Sequence, residues 1–156
     1  MHDRRDARTT PLFAYGTLRV DAVLRTLLGR IPDSTPDVLT GWRIARLPDR
    51  VYPGLVPAPA GSATGRLLTG LAAAEWTLLD RYEGDEYDLV PVTLASGTAA
   101  MVYVWNESAE GTEWLLDDFI ATELSPYVER CASWLRHDRA GRRRADQGVR
   151  GGDGGI

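Results

Sequence analysis

The sequence predicts a single domain that mixes strands and helices, on three observations. Hydrophobic residues make up 44% of the 156 residues, with five Trp and six Tyr, which is enough apolar surface for one core at this length. Short apolar runs of strand length recur between Leu12 and Trp105. Between and after those runs the apolar residues change to helical spacing.

Residues 12–15, Leu-Phe-Ala-Tyr, read as a short strand running into Gly16-Thr17-Leu18. Asp21 is then expected to cap a helix ending near Leu28, with Gly29 just beyond it. Residues 41–47 and 51–56 follow as short strands, the second interrupted by Pro53-Gly54 and so placed at an edge or bulge. Residues 64–71 form a further strand. Trp76, Leu79 and Tyr82 recur at helical spacing and place one short helix over 75–83. Residues 89–94 and 99–105 pair as a hairpin across a loop containing Gly97. Apolar residues at 115, 116, 119 and 120 mark a helical stretch over 113–124. Ser125-Pro126 then starts a last helix as N-cap and first helical residue, with Val128, Cys131, Ala132 and Leu135 as its apolar face.

The ends differ from this body. Residues 1–10 are polar, without an apolar stretch of signal-peptide length, and no window approaches a membrane span, so a flexible N-terminus and a cytoplasmic location are expected. From Arg139 the chain holds five Arg, two Asp and six Gly with almost nothing apolar, so residues 139–156 are expected to be a disordered tail and residues 11–138 the domain. That tail carries +3 of a total of −4, leaving the body acidic and no nucleic-acid partner expected.

Composition excludes several chemistries. All 18 basic residues are Arg, which rules out Schiff-base, phosphate-loop and general-base lysines. The two histidines lie at positions 2 and 137, outside the apolar body, which disfavours His-based triads and zinc sites. Cys131 falls on an apolar helix face, where a small buried hydrophobe is expected. No dinucleotide fingerprint or phosphate loop is present, so no cofactor is expected; no metal ligands are assigned, and an all-carboxylate magnesium site, which needs separated Asp or Glu converging in space, is neither shown nor excluded by the sequence. A catalytic version of this chain works with a carboxylate, backbone N–H groups and tyrosine hydroxyls.

Five carboxylates fall within positions 80–88. Glu83 ends a helix before Gly84, where the negative end of the helix dipole and neighbouring like charges both favour its protonated form. A glutamate so tuned exchanges protons near neutral pH; the alternative is a solvated acidic turn. The Tyr15-Gly16-Thr17-Leu18 turn either aims successive N–H groups at a small anion or is a plain tight turn.

The segments at residues 12–19, 52–56, 65–68, 79–84 with Tyr87, and 103–105, in this order and spacing, resemble the gamma-glutamylcyclotransferase-like family. The resemblance spans roughly residues 11–135, and the Trp-bearing helical end looks like its plant avirulence-induced branch. It implies an α+β fold: a small, closed or nearly closed mixed β-barrel with flanking helices and a C-terminal helical segment. It also implies that Tyr15, Gly16, Thr17 and Leu18 bind substrate, that Glu83 is the general acid/base, and that a γ-glutamyl amide cyclises to 5-oxoproline without a cofactor. Tyr103 either lines that pocket as a hydroxyl donor or belongs to the core. The alternative is a small-ligand binding module of the same fold. The chain departs from many relatives after Tyr87, where Asp88 and Leu89 stand in place of an arginine two residues on, leaving Arg19 or Arg66 as substitutes or as plain surface residues.

Overall fold

The computed structural model describes residues 10–153. Its five strands form one sheet in the order β2-β3-β1-β5-β4, with helices against it, an α+β fold. Strand β1 (Leu12–Ala14) lies at the centre and is entirely buried, which explains its unbroken apolar sequence. It runs antiparallel to β3 (Gly54–Leu68) and parallel to β5 (Ala99–Trp105). Gly65 permits the close approach of β3, because a Cβ there would lie 2.4 Å from the Ala14 carbonyl oxygen.

A 3-10 turn (Thr17–Arg19) leads from β1 into helix α1 (Asp21–Leu28), which buries Val23, Leu24 and Leu27 and stops at left-handed Gly29. The capping position is Val20 rather than Asp21, whose carboxylate instead sits in the first turn at the positive end of the helix dipole.

The three strands expected over 41–71 are two long ones. Strand β2 (Ser34–Ala45) pairs antiparallel with β3, from Ser34 opposite Leu68 to Ala45 opposite Gly54, with a register shift at Gly41. Pro57, Pro59 and Gly61 erased the alternation by which the middle of β3 would be recognised. They are tolerated because β1 reaches only residues 66–68, so Pro57 has a ladder partner on one side alone, and Pro59 and Gly61 fall in the register shift.

Helix α2 (Ala73–Glu83) buries Trp76 and Leu79 and ends at Gly84, with Glu83 as its last residue. Strand β4 (Tyr87–Thr93) and β5 form the expected hairpin, β4 starting two residues early so that Tyr87 faces Trp105. The Ala95 N–H donates to the Val38 carbonyl at 2.8 Å and Ser96 Oγ donates to Asp37 Oδ2 at 2.6 Å. These bonds bring the β4–β5 loop to β2, so the sheet curls into a nearly closed barrel.

Helix α3 (Leu116–Thr122) precedes α4 (Leu124–Asp153). Helix α4 begins one residue before the expected Ser125 cap, and Pro126 occupies its first turn, where its missing N–H costs nothing. Tyr127, Cys131 and Leu135 form its buried stripe and the helix packs on α1; Val128 and Ala132 are only half-buried.

Over the described part of the expected tail, α4 continues to Asp153. Prolonging an existing helix avoids the costly nucleation step, and the Arg and Ala residues that dominate 139–145 are good helix formers. Residues 142–145 are exposed, in keeping with the absence of apolar periodicity there. The expected flexible N-terminus, residues 1–9, and residues 154–156 lie outside the described residues. Among the described residues no helix is long and apolar enough to cross a membrane.

Candidate active site

Glu83 and residues 15–18 line one cavity of about 400 Å³, and Tyr103 lines it too. The fold brings them there from opposite directions. Residues 15–18 leave the end of β1, Glu83 ends α2, Tyr103 points in from β5, and α4 closes the remaining side.

All six tyrosines of the chain line this cavity, each from a different segment: Tyr15, Tyr52, Tyr82, Tyr87, Tyr103 and Tyr127. Most of their hydroxyls are engaged. Tyr15 donates to the Tyr103 carbonyl oxygen, Tyr87 to the Pro53 carbonyl oxygen and Tyr103 to Asp80 Oδ1, each at 2.6 Å. Tyr82 and Tyr127 share a hydrogen bond, and the Tyr127 hydroxyl also lies 3.5 Å from Thr17 Oγ1. Burial pushes the phenols of Tyr15, Tyr82, Tyr87, Tyr103 and Tyr127 well above their ordinary range, and a charge on Glu83 pushes each of them further. All five therefore remain protonated donors at any physiological pH.

Glu83 behaves oppositely. The residue is half-buried in the cavity wall, and burial followed by the charge of Asp80 pushes its carboxyl up to about 8. Its place in the sequence pointed the same way for a different reason. Loss of hydration leads, and of the four neighbouring carboxylates only Asp80, one turn back on α2, contributes. Glu86 is drawn off into an ion pair with Arg50, and Asp85 is exposed. Among the described residues the Glu83 carboxyl makes no hydrogen bond or ion pair, leaving it open to a ligand.

The turn facing it has unmet donors. Its first closing bonds are Arg19 N–H to Gly16 O at 3.0 Å and Val20 N–H to Thr17 O at 3.1 Å. The Thr17 and Leu18 N–H groups precede these and have no acceptor within the 3-10 helix. Gly16 is required by packing, because a Cβ there would meet Pro53 Cγ at 2.7 Å. Pro53 cannot easily retreat, since its carbonyl is tied to Tyr87.

Neither Arg19 nor Arg66 lines the cavity. Arg19 donates to the Thr64 carbonyl and lies over Trp114, while Arg66 binds Ser34. The sequence reading missed Arg130, Ser133 and Trp134 on α4, and it missed that Cys131 borders the cavity. Their spacing with Tyr127, one and two turns apart, was the available signal; of these residues only Cys131 was read, as part of an apolar face. Burial raises the Cys131 thiol, as suits an inert side chain. Among the described residues no group of three or more His, Cys, Asp or Glu is placed to hold a metal.

Residues 12–120 match the family model described as gamma-glutamyl cyclotransferase, AIG2-like. The chain is 32% identical over 136 residues to an Arabidopsis thaliana protein called AIG2-like protein C, covering 82% of this chain and 79% of the relative. A solution structure of an Arabidopsis thaliana protein superposes with a TM-score of 0.60 at 26% identity, covering 83% of this chain and 92% of its own. A crystal structure of an uncharacterized protein from Pyrococcus horikoshii shares the fold, with a TM-score of 0.51 at 17% identity over 73% of this chain and 94% of its own.

Proposed function

The chain belongs to the gamma-glutamyl cyclotransferase, AIG2-like family, and from that premise we propose that it cyclises a γ-glutamyl amide to 5-oxoproline, with Glu83 as the proton shuttle. The α-amino nitrogen of the substrate attacks its own γ-carbonyl carbon, a C–N bond forms, and the original amide C–N bond breaks to release an amine or amino acid. Nothing is consumed besides the substrate. The attacking nitrogen must lose a proton and the departing nitrogen must gain one, so one carboxyl group suffices for both transfers.

The observation that carries this reading is the Glu83 carboxyl, raised to about 8 and unengaged by other described residues, in a cavity shared with the open N–H groups of the turn. A chain α-amino group titrates at about 8, and the substrate's, beside its own carboxylate, somewhat higher, so a carboxyl raised to about 8 is far better matched to it than an ordinary glutamate. The neutral tyrosines and Cys131 are too weakly acidic to compete for that role. The Thr17 and Leu18 N–H groups hold the oxyanion of the tetrahedral intermediate, a contribution typically of about a hundredfold or more. Tyr15 and Gly16 set the course of that turn. The Tyr103 ring forms the wall beside it, its hydroxyl held by Asp80.

The test is incubation of the purified protein with a panel of γ-glutamylamines and γ-glutamyl peptides, following 5-oxoproline release. Turnover with at least one compound, reduced at least about a hundredfold in Glu83→Gln with far less change in affinity, is the expected result. A folded protein that binds such compounds without releasing 5-oxoproline would instead be a binding module.

A further inference from the structure

We propose that Arg130 receives the α-carboxylate of the γ-glutamyl group, an assignment that rests on the cyclotransferase reading of the same cavity. Every γ-glutamyl compound carries an ammonium and a carboxylate on its α-carbon. Both charges enter the cavity with the reacting amine, and in these surroundings each needs a partner. Glu83 answers the ammonium. Arg130 is the one cationic side chain lining the cavity among the described residues.

Arg130 is available for the task. It takes part in none of the ion pairs among the described residues, and its guanidinium carbon lies 5.8 Å from the centre of the Tyr127 ring. Tyr127 connects it to the reacting end, because the Tyr127 hydroxyl bonds Tyr82, next to Glu83, and approaches Thr17 of the turn. The guanidinium therefore stands beside the wall that joins base and oxyanion donors. Arginine's planar fork takes a carboxylate through two parallel hydrogen bonds. The chain lacks an arginine after Tyr87, and Arg19 and Arg66 lie outside the cavity lining, so α4 is where this charge is supplied.

The experiment compares wild type, Arg130→Gln and Arg130→Lys. With a turned-over γ-glutamylamine, Arg130→Gln should raise KM at least about tenfold with a much smaller change in kcat, and Arg130→Lys should recover part of the loss. A γ-glutamyl peptide should suffer equally. If only the peptide suffers, the guanidinium meets the leaving group's carboxylate and the proposal is overturned, as it is by an unchanged KM. Calorimetric titration with 5-oxoproline and with its carboxamide separates this proposal from the one it rests on, because the product keeps the α-carboxylate. Wild type should prefer the acid and Arg130→Gln should lose that preference, whether or not turnover is found. Equal binding of acid and amide by wild type overturns the proposal, whereas absent 5-oxoproline release overturns only the cyclotransferase reading. Arg130 is exposed, so unchanged thermal midpoints of the variants are expected to show an intact fold.

Discussion

Replacing Glu83 by Gln should make the protein more stable at alkaline pH while removing its activity. The Glu83 carboxyl is raised from 4.5 to about 8 on folding, chiefly by burial and then by Asp80. Folding thus strengthens proton binding at this group. Its favourable contribution is complete below about pH 4.5 and is lost as pH rises toward 8, where the folded chain must hold a poorly hydrated charge. At about 1.4 kcal/mol per pH unit the full cost is on the order of 5 kcal/mol, and because the residue keeps some solvent contact roughly 2 to 4 kcal/mol is the expected size. Gln has nearly the same shape and no charge to hide. Urea unfolding of both proteins at pH 5, 7 and 9 isolates the effect, since every other titrating group is common to the two. The curves should nearly coincide at pH 5, separate through pH 7 and stay apart above about 8, with the variant the more stable. A difference independent of pH, or a variant less stable at pH 9, would refute the buried-carboxyl account.

The remaining expectations are simpler to read. Gly16→Ala should cost about 1 to 3 kcal/mol in urea unfolding and most of the turnover, since its methyl group would strike Pro53 and shift the turn; wild-type kinetics would show that the backbone of the turn does not act. Chain ends placed after Arg139 should leave activity and thermal midpoint unchanged, whereas ends placed after Arg136 remove Asp138 and its two hydrogen bonds to Arg81 on α2, lowering the midpoint measurably. Turnover should survive EDTA, and recovery of a lost activity by a divalent metal would contradict the proton-shuttle mechanism.

Much of this arrangement was legible in the sequence wherever a local signal carried it. The run 12–15, observed as a strand over Leu12–Ala14, the Gly29 stop and the Gly97 hairpin were each written in a few adjacent residues, and each appears in the fold. The long β2–β3 hairpin was not, because pairing with β2 holds residues such as Pro57 and Gly65 that carry no strand pattern of their own. The continuation of α4 was missed for a related reason: composition reports whether a segment can pack, whereas a helix already nucleated at Leu124 can extend without packing. In the site, Glu83 and the turn were named through their motifs. Arg130 had no motif to mark it, since it enters the cavity only because α4 folds back across it.

The six tyrosines explain why a carboxyl can be held near 8 in this cavity. A pocket lined by aliphatic side chains would leave a glutamate unhydrated but offer few donors to a polar substrate, and one lined by amides or water would hydrate the carboxylate and return it toward its ordinary range. Phenols combine a large apolar ring with one hydroxyl, and here several of those hydroxyls are committed to carbonyls, to Asp80 or to one another. None of these bonds goes to Glu83. The rings therefore limit the hydration of the carboxyl without stabilising its charge, and the same burial keeps the phenols from releasing protons of their own. Among the described residues that line the cavity, Glu83 is the carboxyl whose titration is raised into the neutral range, and its disfavoured ionisation is the stability that Glu83→Gln should return.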